Sequence, residues 1–110
     1  MTVKELAEKL NLTIVTGDQS LEREVDSIYC CDLLSIVMGR APADCAWITV
    51  MGNMNAVAVA VLADVSCIIL AENVRCDEEG KQKAISQDVA ILYSEQPIYE
   101  TAAAVGKLLS

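Results

Sequence analysis

The chain has 110 residues, of which 54% are hydrophobic and 22% are charged, and its formal net charge is -8. This composition is typical of a globular protein, and the length allows one hydrophobic core but not two. The acidic balance argues against nucleic-acid binding, and no apolar run approaches the roughly 18 residues of a membrane span, so we expect a cytoplasmic protein with no membrane contact.

The N-terminal part of the chain predicts a helix followed by two strands. Thr2 and Glu5 match a capping box, in which each side chain accepts a hydrogen bond from the backbone amide of the other residue. Apolar residues then recur at helical spacing, which predicts a helix at 3–10. The β-branched run 12–16 predicts a strand. The charged residues 22–24 and the apolar residues 25–31 predict a second strand, which is exposed where it begins and covered by other parts of the fold further along.

The most apolar stretch of the chain, residues 45–72, predicts a buried strand–helix–strand unit. The runs 46–50 and 67–70 show no polar alternation, which is typical of strands covered on both faces. Between them the Ala/Val alternation would also fit a strand, but alanine favours a helix at 56–64 with Asn55 as its N-cap. Because this helix is apolar all round, we expect the sheet to cover one face and something else, with another subunit as one option, to cover the other.

Further elements are predicted on both sides of this unit. Asp32 precedes the apolar segment 33–38, which predicts a short helix with Asp32 as its cap. An acidic first turn predicts a helix at 78–87, and the run 89–93 predicts the last strand. Pro97 then marks the start of a helix that continues to the end of the chain.

The alternation of strands and helices predicts a single α/β domain, with a mostly parallel sheet and helices on both faces. Ligands of such sheets bind beyond the carboxyl ends of the strands, at a switch in strand order. This rule indicates the loops that follow the second, third and fourth strands. Because the sequence does not give the strand order, the placement of these three loops in one crevice is itself a prediction. The candidate ligand-binding residues there are Asp32, Thr49, Gly52, Asn53, Asn55 and Glu72.

The chemistry of these residues fits ligand binding better than catalysis. The chain has no histidine, no glycine-rich phosphate-binding motif and no nucleophile elbow. It therefore lacks an activated nucleophile and a base with an orienting partner. An enzyme would have to be a hydrolase that uses the carboxylates of Asp32 and Glu72, and nothing in the sequence fixes their separation.

The cysteines give another alternative, a redox or metal-binding protein that would use Cys30, Cys31 and Cys76. Against it, the chain has no Cys-x-x-Cys pair, whereas zinc and iron–sulfur sites usually contain closely spaced ligand pairs. Cys45 and Cys67 begin apolar runs, where a thiol behaves as a small hydrophobic group. We therefore expect five reduced cysteines, no metal and no cofactor.

Five segments spread over nearly the whole chain carry a family resemblance. They are residues 2–10 (TVKELAEKL), 32–35 (DLLS), 46–50 (AWITV), 55–60 (NAVAVA) and 67–70 (CIIL). In this order and spacing they resemble a DRTGG domain, which is itself similar to the N-terminal domain of HPr kinase/phosphorylase. The resemblance implies an α/β regulatory or assembly module that tends to dimerise and has no established activity. It also implies a stand-alone short form of the kind found in anaerobic bacteria, often encoded near hydrogenase and redox-signalling genes.

The chain departs from this family in the residues that give the family its name. Members carry an Asp-Arg pair after the strand that corresponds to 46–50 and a Thr-Gly-Gly after the next strand. Here residues 51–55 read MGNMN and residues 71–73 read AEN. If the missing residues hold an anionic ligand in other members, this chain binds that ligand weakly or binds a different one.

Two functional hypotheses remain. In the first, the chain is a homodimeric, non-catalytic regulatory domain that senses a small molecule, with nucleotides as one class, or relays a signal to a partner protein. In the second, it is a dimerising adaptor without a ligand, which binds an enzyme or kinase through apolar helix faces. A ligand that binds only the folded state raises its stability, so a thermal-shift panel distinguishes the two.

Overall fold

Five strands and five α-helices make up the chain in the computed structural model, which describes residues 1–110. The strands are β1 (Thr13–Thr16), β2 (Ser27–Cys30), β3 (Cys45–Thr49), β4 (Cys67–Leu70) and β5 (Ile91–Tyr93). The helices are α1 (Val3–Leu10), α2 (Leu34–Arg40), α3 (Met54–Ala63), α4 (Glu78–Gln87) and α5 (Ile98–Leu109). A 3-10 turn, Gln19–Glu22, lies between β1 and β2. None of the helices is long and apolar enough to cross a membrane.

The strands form one sheet in the order β1-β5-β4-β3-β2. From β2 to β5 each strand runs parallel to its neighbour, whereas β1 pairs antiparallel with β5. The prediction of a mostly parallel sheet with helices on both faces is confirmed. The prediction that the strand within 25–31 is covered was wrong, because β2 has a neighbour on one side only and its residues stay partly exposed.

Alternate residues of the central strands point into two hydrophobic cores, because successive side chains in a strand face opposite sides of the sheet. On one face Ala46 and Ile48 of β3 pack with buried residues of α1 and α5, among them Leu6 and Val105. On the other face Trp47 packs with buried residues of α2, α3 and α4. Both faces of β3 are therefore covered, as its lack of polar alternation predicts.

Helix α3 is the middle helix of the three on the second face, in contact with α2 and α4. None of its residues is charged, and its inner side, including Val57 and Ala60, is buried. Its outer side is open in the single chain: Met54 is 44%, Val61 41% and Leu62 70% exposed. The predicted cover of one face of this helix by the sheet is confirmed, and the cover of its other face by something else stays a prediction.

Arg23 joins the loops at the amino end of the sheet. Its guanidinium donates hydrogen bonds to Asp44 Oδ1 at 2.7 Å and to Asp64 Oδ1 at 3.0 Å. It also donates to the backbone carbonyl oxygens of Asp64 and Val65, each at 3.0 Å. These bonds fix the chain before β2 to the segments that precede β3 and β4.

Candidate functional site

The carboxyl ends of β2, β3, β4 and β5 lie side by side along one edge of the sheet. There Asp32, which follows β2, reaches the end of β3. Its Oδ1 accepts a hydrogen bond from Thr49 Oγ1 at 2.7 Å and another from the Val50 amide at 3.1 Å. Thr49 Oγ1 in turn accepts one from the Met51 amide at 3.2 Å. The structure thus brings Asp32 and Thr49 together, and Asp32 Oδ2 makes no hydrogen bond within the chain.

Asp32 does not cap the helix that follows it. Helix α2 begins at Leu34, and its N-cap residue, Leu33, makes no side-chain capping bond. The prediction of an Asp32 cap was wrong because the neighbouring strand β3 offers the carboxylate two donors. The sequence alone could not rank these donors against the local helix amides, since it does not give the strand order.

Gly52 lies under the loop that follows β4. A Cβ atom at this position would lie 2.8 Å from the carbonyl oxygen of Arg75, closer than these atoms can approach, and 3.0 Å from Cys76 Cα, which is a tight contact. The carbonyl oxygen of Gly52 also accepts a hydrogen bond from the Asp77 amide at 2.9 Å. Gly52 is therefore needed for the close packing of two loops at this edge.

Asn53, and not Asn55, is the N-cap of α3. Its side-chain oxygen accepts a hydrogen bond from the Ala56 amide at 2.9 Å, and the helix begins at Met54. Asn55 lies in the first turn, is exposed, and its side chain makes no hydrogen bond within the chain. The prediction of Asn55 as the cap was wrong by two residues, because both asparagines suit a cap and the pattern does not fix the boundary.

Glu72 makes hydrogen bonds to the segment that connects β5 to α5. Its Oε2 accepts a hydrogen bond from the Ile98 amide at 2.8 Å, at a helix start where the N-cap residue Pro97 makes no side-chain capping bond. Its own amide donates to the carbonyl oxygen of Gln96 at 2.8 Å. Glu72 and Asn73 adopt left-handed backbone conformations, with φ of 60° and 59°. The Glu72 side chain is thus directed to α5 and makes no bond to Asp32 or Thr49.

A polar cavity of about 300 Å³ lies at the same edge, beyond β5 and β1, and the sequence analysis missed it. The Arg75 guanidinium lies over the Tyr93 ring, 4.6 Å from its centroid, and Tyr93 Oη accepts a hydrogen bond from the Cys76 amide at 3.0 Å. The only sequence signal was a lone arginine in the loop after β4, because the pairing of β1 with β5 cannot be read from the sequence. The lining residues are Leu10, Asn11, Leu12, Thr13, Arg75, Tyr93, Ser94, Glu95 and Gln96.

The six predicted site residues do not line this cavity or any of the other three cavities of the chain. Thr49 is fully buried, so its hydroxyl, although bonded to the Asp32 carboxylate, is not accessible as a nucleophile. The exposed groups at this edge are carboxylates, amides and one guanidinium. Such groups hold a ligand by hydrogen bonds and charge.

All five cysteines are free thiols. Burial raises the pKa of Cys67 to about 12 and that of Cys45 to about 11. Burial also raises the pKa of Cys30 and Cys76. These thiols stay protonated near neutral pH, and a protonated thiol is a poor nucleophile and metal ligand. No three Cys, Asp or Glu side chains lie close enough together to hold a metal ion.

Comparison with protein families decides what kind of domain this is. Residues 5–108 match the model of the DRTGG domain. The chain belongs to the DRTGG domain family. The match covers nearly all of the chain, which confirms the family resemblance of its sequence segments. A comparison with curated proteins finds no match for this DRTGG domain.

A solved structure also resembles this DRTGG domain. It is the crystal structure of the CBS and DRTGG domains of the regulatory region of Clostridium perfringens pyrophosphatase, complexed with the activator diadenosine tetraphosphate. The TM-score is 0.75 at 10% sequence identity, and the match covers 94% of this chain and 45% of that chain. At this identity the likeness shows a common fold. The DRTGG domain described here spans less than half of the pyrophosphatase fragment.

Proposed function

We propose that this DRTGG domain is a non-catalytic regulatory module that binds a small molecule, forms a homodimer and controls a partner protein. The observation that carries the proposal is the carboxyl edge of the sheet, where unpaired polar groups from several loops face solvent. Membership of the DRTGG family supports the regulatory role, since a domain of the same fold lies in the regulatory region of a pyrophosphatase. The activator in that structure makes nucleotides the first ligand class to test.

The proposed ligand site is formed by the loops after β2, β3 and β4. Within it, Asp32 Oδ2 and the Asn55 side chain are free to contact a ligand, whereas Thr49 and Gly52 hold the loops in place. None of the six residues of the proposed site is basic and the chain carries a net charge of -8, so a nucleotide would be held by these residues through its base or ribose and not through its phosphates. The residues of the proposed site are Asp32, Thr49, Gly52, Asn53, Asn55 and Glu72.

The proposed homodimer would use the outer surface of α2, α3 and α4. A group of large exposed apolar side chains on neighbouring helices is typical of protein interaction sites. Because α3 has no charged residue, a second copy can lie against it without burying an unpaired charge. This matters for an acidic chain, since two copies with a net charge of -8 repel each other elsewhere. The exposed large apolar residues of this surface are Leu33, Ile36, Met38, Met54, Val61, Leu62 and Ile85.

The test is native mass spectrometry of the full chain, purified without oxygen from its own host, followed by thermal unfolding with a panel of nucleotides and other metabolites. We expect a dimer that carries a small-molecule mass. A ligand present at a hundred times its dissociation constant should stabilise the fold by about 2.7 kcal/mol. A monomer would contradict the homodimer, and the absence of any bound mass or thermal shift would contradict ligand sensing.

A ligand-free adaptor is the second candidate. Two observations favour it: none of the cavities is lined by the six residues of the proposed site, and the large apolar side chains on the outer side of α3, Met54, Val61 and Leu62, are exposed. In this case the same experiments would give a dimer with no bound mass and no thermal shift. Co-purification of one enzyme or kinase in a stoichiometric amount would then identify the partner.

A further inference from the structure

The cavity beside Arg75 contains polar side chains that the fold itself does not use. Arg75 and Glu95 both line it, but the ion pairs of the chain involve neither residue. Asn11, Thr13 and Gln96 line the same space, and their side chains make no hydrogen bond within the chain. The fold therefore places several unpaired donors and acceptors around one opening of about 300 Å³.

Arg75 is held against an aromatic ring, and its guanidinium makes no hydrogen bond or ion pair within the chain. Its Cζ atom lies over the Tyr93 ring, 4.6 Å from the centroid, and that ring is fixed by the hydrogen bond from the Cys76 amide to Tyr93 Oη. The N–H groups of this guanidinium are therefore available for two parallel bonds to a carboxylate. Arg75 is thus suited to bind an anionic group of a ligand.

Glu95 determines what else the ligand must carry. A second negative charge in the cavity would be repelled by Glu95 and by the net charge of -8, whereas a cationic group would be attracted. The cavity wall at Leu10 and Asn11 is also the C-terminal end of α1, where the helix dipole favours a positive charge. A small molecule with one negative and one positive group fits this charge distribution.

We propose that this cavity binds a free α-amino acid or a similar small zwitterion, with its carboxylate on Arg75 and its ammonium group on Glu95. The volume is at the low end of the roughly 300–1,000 Å³ of small-molecule sites, which suits a ligand of this size. Leu10, Leu12 and the exposed part of Tyr93 offer apolar contacts to its side chain. This inference rests on the proposed ligand-sensing function, but it names a different place on the sheet edge and a different ligand class.

The cavity is also connected to the rest of the edge. Its wall at Ser94 to Gln96 accepts backbone hydrogen bonds from Glu72 and Asn73, at 2.8 and 3.1 Å. Glu72 in turn holds the first turn of α5 through the Ile98 amide. A ligand that shifts residues 94–96 would therefore act directly on the start of α5.

The test is isothermal titration calorimetry of the full chain with each of the twenty amino acids, together with amide chemical-shift mapping of the best binder. We expect binding by a subset, with shifts at Thr13, Tyr93 and Glu95. Arg75→Gln and Glu95→Gln should each raise the dissociation constant by about tenfold or more, since each removes a charge-assisted contact. Arg40→Gln and Glu22→Gln, which change exposed charges away from the cavity, should leave it unchanged.

Ligand analogues provide a second comparison. The 2-hydroxy acid and the amino alcohol related to the best binder each lack one charge, and each should bind about tenfold more weakly or worse. Binding that survives Arg75→Gln, or shifts confined to Asp32 and Asn55, would overturn this inference but leave ligand sensing supported. No binding by any amino acid would overturn it too, and the metabolite panel would then decide separately whether the domain senses a ligand at all.

Discussion

Asp32 ties the ends of two neighbouring strands together, and removing its carboxylate tests how much this contact stabilises the fold. Asp32→Ala should lower the free energy of unfolding by about 1–3 kcal/mol, because the buried Thr49 hydroxyl and the Val50 amide lose a charged acceptor. Urea denaturation measures the change. Asp26→Ala is the matched control, since Asp26 is also exposed and its side chain makes no hydrogen bond. Equal stability of the two variants would contradict this account of Asp32.

The sequence predicted single residues well where their partners are local. The capping box of Thr2 and Glu5 is present, with both hydrogen bonds formed within three residues. Asn55 and Asp32 were wrongly predicted as caps. For Asn55 an equally good residue lies two positions earlier, and for Asp32 the donors belong to a strand that is distant in the sequence. The sequence therefore predicted which side chains bind backbone amides more reliably than it predicted which amides they bind.

At the scale of the elements, a substitution on the outer side of α3 tests the proposed homodimer. Leu62→Glu should raise the dissociation constant of the dimer by at least about tenfold, because a carboxylate buried in an apolar interface loses its hydration. The fold should be unaffected, since Leu62 is 70% exposed. Tyr99→Glu is the matched control, because Tyr99 is 78% exposed and belongs to α5 on the opposite face.

Sedimentation velocity over a range of concentrations measures this difference. We expect Tyr99→Glu to sediment like the unaltered chain and Leu62→Glu to shift towards the monomer. If both variants dimerise equally well, the dimer does not use α3. If the unaltered chain is a monomer throughout the range, there is no homodimer to explain.

Most elements could be predicted because their apolar patterns differ in length and period. The buried runs that became β3 and β4 are short and unbroken, whereas α1 has apolar residues at helical spacing. The strand order could not be predicted in this way. Nothing near β1 indicates that its neighbour is β5, and so the cavity that these two strands help to form was missed.

For the molecule as a whole, the buried thiols make stability depend on pH above neutrality. The pKa of Cys67 is raised from 9.0 to about 12 by burial, so this thiol keeps its proton in the folded chain after the unfolded chain has lost it. The buried, protonated thiol makes its full contribution to the free energy of unfolding below pH 9, and this contribution falls as the pH rises from 9 towards 12. Near pH 10 the loss approaches about 1.4 kcal/mol per pH unit for one thiol.

Urea denaturation at pH 8 and pH 10.5 measures this loss. Cys67→Ala should lose less stability between the two pH values than the unaltered chain, even though it starts from a lower value because of the cavity it creates. Val57→Ala also removes buried volume but no titrating group, so it should keep the original pH dependence. Parallel curves for the two variants would mean that Cys67 does not titrate as its burial implies.

The antiparallel pairing of β1 with β5 also affects how the chain can fold during synthesis. Thr16 makes hydrogen bonds to Val89 and Ile91, which are 73 and 75 positions further along the chain. While β2, β3 and β4 can pair in turn as they leave the ribosome, β1 has no strand to join until β5 has been made. Contacts between such distant segments slow folding. β1 is thus made before the other four strands but is the last of the five to be fixed in the sheet.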